Sequence, residues 1–490
     1  MRPFFMSYIQ GEDRGQAALL PAAIEDYVAA DAPVRVIDAF VDGLDVRGLR
    51  FARSVPAAMG RPPYDPRDLL KLYLYGYLSE VRSSRRLERE CSRNVEVMWL
   101  LRRLAPDFKT IADFRRDNGA AIVGTCRAFV LFCQDQGLFT ARLVALDGSK
   151  FRAAASAKRV MGRREIADEA SRLDRRIAEY LAGLDESDAS EPDEVPSATT
   201  TALEVLKMRR AELDRLAAKL DDEDRNTLVE GELDARPMGI GKGPKPPSYN
   251  VQTAVDAETG LIIHHEVTGE PNDTRQLYPM AKATKDMLGV ASLTVVADAG
   301  YSSGMAAAAC EADGITACVP TNRSIHSQGD GTMFGRSAFV YRREADTYMC
   351  PAGHVLARKQ EALRRDRMIL YAARDCTGCS LKPRCTTAER RFVSRHFHED
   401  ALERMNARFQ ADPTLIRQRR CASEHPFGTI KRMTAGGRYL TRGLKKVSGG
   451  SSAQRAGLQH HPCHQSGRSG NTSGETRLSQ TKEAPENRSP

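Results

Sequence analysis

Two stretches decide the fold: RLVALDGSKF at residues 142–151 and LTVVADAGYSSG at residues 293–304. Each opens with a short apolar run that reads as a buried strand, and each run ends at an aspartate, Asp147 and Asp298. In α/β sheets, functional groups gather beyond the carboxyl ends of strands. Working outward, YNVQTAVD and LIIHHEVTG flank AETG within residues 249–269 and predict a β-hairpin. TRQLYPMAKATKDML, residues 274–288, predicts a helix between that hairpin and the second aspartate strand. The order strand, insert, hairpin, helix, strand belongs to a mixed α/β core.

The insert lies between the first strand and the hairpin, over residues 157–235. Ile166, Leu173, Ile177, Tyr180 and Leu184 share one face of a first helix; Leu206, Leu213, Leu216 and Leu220 share one face of a second. DESDASEPDEVPSATT, residues 185–200, is acidic and rich in Pro and Ser, and is expected as the exposed loop of this helical hairpin.

Residues 1–138 read as a helical domain. Asp65-Pro66 places an acceptor at an N-cap and a proline in the first turn. Leu69, Leu70, Tyr73, Leu74 and Tyr77 then follow at helical spacing. Ser83 or Ser84 can cap a second helix, and Thr110 a later one. Arg85, Arg86, Arg89 and Arg93 lie among these short helices. They suit a helix-turn-helix-like DNA reader and equally a plain helical domain with solvated arginines.

The length, 490 residues, allows about three domains. Hydrophobic residues at 41% and charged residues at 28% exclude global disorder. A formal charge of +9 suits a polyanionic partner without proving one. No apolar run approaches the ~18 residues of a membrane span. The opening MRPFFMSYIQGEDRG has no apolar core or cleavage site, so a cytoplasmic protein is expected.

Two carboxylates at neighbouring strand ends repel each other unless a cation lies between them. Mg²⁺ takes oxygen ligands, often one or two carboxylates with waters and phosphates. A third carboxylate would complete a two-metal site for phosphodiester chemistry. The candidate is Glu424 in RQRRCASEHPFGTIKRM, where Arg420, Glu424 and Lys431 fall on one helical face. Pro426 is expected to kink that helix or start it. Each acid also has a plainer reading. Asp147 suits an Asp-Gly turn, Asp298 an N-cap before Gly300, and Glu424 an exposed charge.

Cys350, the pair Cys376-x2-Cys379, and Cys385 form the other cluster, within a stretch, 330–398, expected to be irregular. C-x2-C is a common half-site for tetrahedral Zn²⁺, and Cys350 with Cys385 can complete it; His354 is an alternative fourth ligand. After Val447, Leu458 and Leu478 are the only large aliphatics, so residues 448–490 are expected to be a disordered tail.

In this order, ALDGSKF, YNVQTAVD, VVADAGYSSG and SEHPFGTIKR resemble the DDE transposases of bacterial insertion sequences over about residues 1–447. The likeness is greatest to the subgroup with a helical N-terminal domain and a Cys-rich insert, the insertion-sequence eleven-eighty-two-like group. The resemblance implies a ribonuclease-H-like catalytic core over 139–447, with Asp147, Asp298 and Glu424 as catalytic acids holding Mg²⁺ or Mn²⁺. It implies cleavage at transposon ends that frees a 3′-hydroxyl, attack of that hydroxyl on target DNA, double-stranded DNA as partner, and a homodimer that pairs two ends. Arg420 and Lys431 match the DNA-contacting positions of the family's Tyr-Arg-Glu-Lys signature, but the Tyr position is Arg417. Relatives continue past LTRGLKKV with an apolar helix, so the switch of composition near codon 448 reads as a shifted frame. Translating the gene in its other two frames tests this, and finding no apolar helix there discards it. The rival functions are a catalytically inactive, zinc-stabilised DNA-binding descendant and an aspartate-nucleophile phosphatase. The phosphatase is disfavoured because Ser149 stands where a second Asp is wanted.

Overall fold

The computed structural model describes residues 23–449 except 57–58, 60–61, 82, 191–196, 240–244, 322–332, 363–367 and 435. All but the first two residues of the expected tail therefore lie outside the described residues, as does the centre of the expected acidic loop.

The N-terminal region is helical: α1 (Pro33–Asp42), α2 (Pro66–Leu78), α3 (Ser84–Arg93), α4 (Val95–Leu100), α5 (Phe108–Asp117) and α6 (Gly119–Asp135). Asp65 caps α2, its Oδ1 accepting from the Arg67 N–H at 2.8 Å. α2 is the central helix, buried on every side, which explains why its sequence is apolar and aromatic all round. Even Lys71 is buried there, its ammonium donating to Asp38 at 2.6 Å and paired with Asp42 at 2.7 Å. On α3, Leu87 and Cys91 face this core while Arg85, Arg86, Arg89 and Arg93 stay exposed. Arg85 stacks over the Phe108 ring at 5.1 Å, and Arg93 bonds Glu90 at 3.0 Å.

The second unit is a mixed sheet. Its strands are β1 (Val144–Arg152), β4 (Arg236–Pro237), β5 (Pro247–Asp256), β6 (Ile262–Thr268), β7 (Leu293–Val296) and β8 (Ile315–Cys318). The order is β4-β5-β1-β7-β8, with β6 also on β5. β6, β5 and β1 pair antiparallel, whereas β1, β7 and β8 run parallel. Period-two alternation sends Val144 and Leu146 toward α9 (Leu277–Leu288) and α10 (Gly304–Ala312). Ala145 and Phe151 face α12 (Thr414–Met433) on the other side. α11 (Glu399–Ala411) joins the first layer through Ala401, Leu402 and Met405.

β1 does not stop at Asp147, as the Asp-Gly step suggested. It pairs with β5 through Arg152, because Gly148 leaves room for side chains that reach across it. α12 also runs unbroken through Pro426. The neighbouring Ala422, Phe427 and Ile430 are buried in the core, and that packing outweighs the one backbone hydrogen bond a proline forfeits.

The predicted hairpin insert is present. β2 (Val160–Gly162) and β3 (Thr227–Val229) pair at its base, and α7 (Arg163–Ser190) packs on α8 (Ser197–Asp222) through Ile166, Leu173, Leu213, Leu216 and Leu220. Residues 185–190 and 197–200 are helical rather than loop. Within residues 185–200 the first proline is Pro192, so nothing before it breaks the helical backbone.

The Cys-rich stretch is not irregular. It forms an antiparallel meander in the order β13-β12-β11-β10-β9, from β9 (Val340–Arg342), β10 (Thr347–Met349) and β11 (Val355–Ala362) to β12 (Met368–Ala373) and β13 (Phe392–His396). Its own small core holds Phe339, Tyr348, Leu356, Tyr371 and Val393. Strands of three residues, as in β9 and β10, are too short to show alternation.

The entry to β1 hangs on Asp256. This fully buried carboxylate accepts from the Thr140 and Ala141 N–H groups at 3.0 and 3.1 Å, and from Glu258 and Thr259 in the hairpin turn at 3.0 Å each. Asp256→Ala would orphan all four donors. It should lower unfolding free energy by about 2–4 kcal/mol, read from urea denaturation; a loss under about 0.5 kcal/mol would contradict this role.

Candidate functional site

The register of one parallel pair builds the site. Ala145 is level with Val296, the last matched position between β1 and β7. Asp147 and Asp298 each lie two residues further on. Asp147 stays within β1, Asp298 lies just past the end of β7, and the two stand at the same level, a relation that spacing along the chain could not reveal. Asp298 also caps the 3₁₀ turn Ala299–Tyr301, its Oδ1 accepting from the Gly300 N–H at 2.8 Å. Asp147 accepts from the Gly148 N–H at 2.9 Å.

A cation lies between these acids, and it comes from α12. Arg419 places Nη2 3.8 Å from Asp147 Oδ2 and Nη1 3.5 Å from Asp298 Oδ2. One turn on, Ser423 is fully buried and turned toward Asp147. Its hydroxyl is near enough to favour the ionised acid, yet falls short of a formed hydrogen bond. Thr253, level with Asp147 on β5, buries a hydroxyl that also lacks a hydrogen-bond partner. Burial raises the Asp147 pKa; Arg419, Ser423 and the Gly148 N–H oppose the rise, and Asp298 adds to it.

On the opposite sheet face a polar network supports both aspartates. Asp273 Oδ1 accepts from Asn250 Nδ2 and Gln252 Nε2, each at 2.7 Å, and Lys150 stands 3.5 Å from Oδ2. The fully buried Tyr301 hydroxyl donates to Gln252. Burial, then the charges of Asp273, Asp147 and Asp298, push the Tyr301 pKa well up. Gly148 lets this network close over β1, and a side chain there would force it to shift. A Cβ would come 2.3 Å from Gln252 Nε2 and 2.7 Å from Asp273 Oδ1.

Glu424 follows Ser423 but is exposed, about 100° further round the helix. The structure brings Asp147 and Asp298 together without gathering Glu424 beside them. Arg420 is likewise exposed; its neighbour Arg419 is the arginine that faces the acids. Lys431 is half-buried, with Nζ 5.9 Å from the Phe151 ring centre. Sequence reading missed Arg419, Ser423, Thr253 and Asp273. The i, i+4 spacing of Arg419 and Ser423 was a visible signal, overshadowed by the equal spacing of Arg420 and Glu424.

Cys350, Cys376, Cys379 and Cys385, with His354, line one cavity of about 20 Å³. Its walls also include Phe334, Leu356 and Leu381. The His354 N–H donates to Cys350 Sγ at 3.3 Å. Among the described residues, no three His, Cys, Asp or Glu side chains are grouped closely enough to hold a metal ion. Among those residues, neither the cysteines nor the acids form such a group. Among the same residues, no helix is long and apolar enough to cross a membrane.

Comparison with known families gives two matches. Residues 22–117 match the Transposase domain (DUF772), and residues 349–452 match the Transposase DDE domain. The first covers α1 to α5; the second covers the cysteines, α11 and α12. The segment bearing Asp147 and Asp298 lies between the two. No curated protein and no solved structure matches the chain.

The raised pKa of Asp147 has a stability consequence. The native state holds this proton more tightly than the unfolded chain does, so its contribution falls as pH rises from about 4 through the raised value. Asp147→Asn should therefore gain stability over the parent at neutral pH and lose the advantage below about pH 4. Urea denaturation across pH reads this; a difference independent of pH would contradict it.

Proposed function

We propose that this chain, which belongs to the DDE transposases of insertion sequences, cuts a phosphodiester at the element's end and transfers the freed strand into target DNA. The observation that carries this reading is the pair Asp147 and Asp298, level on parallel strands and covered by the helix that bears Glu424. A sheet in which the antiparallel β6, β5 and β1 are continued by the parallel β7 and β8, with the two-residue β4 also on β5 and helices on both faces, supports a ribonuclease-H-like core. The helical N-terminal domain and the Cys-rich meander support the insertion-sequence eleven-eighty-two-like group.

The acids fit a hard divalent cation. Two carboxylates converge there, and the buried Thr253 and Ser423 hydroxyls lack hydrogen-bond partners. Asp147 and Asp298 would hold Mg²⁺ or Mn²⁺, with Glu424 completing the set. Its longer side chain starts one residue from a hydroxyl already turned to Asp147. When bound, the ion lowers the pKa of the attacking water or 3′-hydroxyl and withdraws charge from the leaving oxygen. In cleavage, water oxygen bonds to phosphorus as the bond from phosphorus to the 3′-oxygen breaks. In transfer, that 3′-oxygen bonds to a target phosphorus and displaces a target oxygen. Cleavage hydrolyses one phosphodiester, whereas transfer exchanges one phosphodiester for another, so no nucleotide is consumed in transfer.

Arg420 and Lys431 on α12 would meet DNA phosphates, and the exposed arginines of α3 would meet the duplex at the element's end. Pairing two ends calls for a second copy of the chain. The four cysteines line one cavity, but among the described residues no three of them are close enough to share an ion, so a structural zinc would require the thiols to close in on it.

On DNA carrying the element's ends with Mg²⁺, the parent should nick. Asp147→Ala, Asp298→Ala and Glu424→Gln should each reduce nicking more than about 10³-fold while end binding persists. Nicking retained in all three would refute the site; binding without nicking in the parent would leave a binding-only protein. Elemental analysis should find about one zinc per chain, lost together with thermal stability in Cys376→Ser. A zinc-free, fully stable protein would overturn the zinc assignment.

A further inference from the structure

We propose that Arg419 is the resident counter-ion of the aspartate pair, a positioning residue that holds Asp147 and Asp298 together until a divalent cation takes its place. The inference rests on the reading of those acids as a cation site.

The guanidinium lies between two carboxylates at 3.5 and 3.8 Å, outside ordinary hydrogen-bond length. Its side chain is only 14% exposed, and among the described residues the buried Nη1 has no hydrogen-bond partner. Arg419 is therefore held by charge more than by directed bonds. A buried donor left unsatisfied is costly, so the arrangement is displaceable rather than locked. Facing it from the packed elements are Asp147 on β1, Asp298 after β7, Thr253 on β5 and Ser423 on its own helix. The two hydroxyls are buried and also lack hydrogen-bond partners. Lys150, the other nearby cation, is engaged with Asp273 on the opposite sheet face. Arg419 is thus the cation that offsets the mutual repulsion of the two acids. A divalent ion would supply that compensation with oxygen ligands to spare, releasing the side chain.

This gives an outcome that a purely structural arginine would not. Removing a scaffold residue weakens a site, whereas removing a competing cation strengthens it. Mn²⁺ binding to the full chain, followed by electron paramagnetic resonance, reads the difference without activity. Arg419→Gln should bind Mn²⁺ at least about tenfold more tightly than the parent. It should also melt at a lower temperature in chelator and regain more on adding Mn²⁺. Arg419→Lys keeps the charge but cannot bridge both acids, and should bind roughly two- to fivefold more tightly than the parent. If the glutamine variant does not fold, the lysine variant decides. Equal or weaker Mn²⁺ binding in a folded Arg419 variant overturns the proposal. Asp147→Asn separates the two readings. If the parent shows no Mn²⁺ site that depends on Asp147, the cation-site reading fails as well. An Asp147-dependent site indifferent to Arg419 defeats only the counter-ion role.

Discussion

The match of Ala145 with Val296 on parallel strands governs the rest of the site. It lays Asp147 beside Asp298 and forces two like charges together at the point where β7 gives out. Everything nearby answers that repulsion. α12 brings in Arg419 on one face; Asp273, Gln252 and Tyr301 brace the strand ends on the other. Gly148 permits the bracing because no side chain intervenes. A one-residue slip of β1 would turn Asp147 to the wrong face of the sheet and dissolve the pair.

The two family matches and the site geometry meet on α12. The C-terminal match contains that helix, while the two aspartates lie outside both matches. What joins them is tertiary contact. Arg419 reaches both acids, and Ala422, Phe427 and Ile430 anchor the helix in the same core as Ala145 and Phe151. The site is thus a product of the fold as a whole and not of a local motif.

The strands carrying the aspartates, the hairpin around AETG and the helical insert were legible because apolar periodicity is a local signal. Asp256 shows the limit. Its four backbone donors come from two separate loops, and no spacing rule announces them. The meander was missed because strands of three residues show no alternation and its cysteines drew the reading toward loops. Pro426 misled for a similar reason: local propensity argued for a break, and burial of its neighbours overrode it. At the site, the arginine of α12 that reaches both acids is Arg419, one position before the Arg420 singled out in sequence. Arg419 and Arg420 have equal claims in sequence, and only packing of the helix on the sheet chooses between them.

The central claim is that Asp147 and Asp298 together form a divalent-cation site. The most direct measurement is anomalous diffraction from crystals soaked in Mn²⁺. The account predicts a peak within about 2.5 Å of a carboxylate oxygen of each aspartate, with the Arg419 guanidinium moved out from between them. A map without a peak there, with the arginine still seated between the two acids, would contradict it.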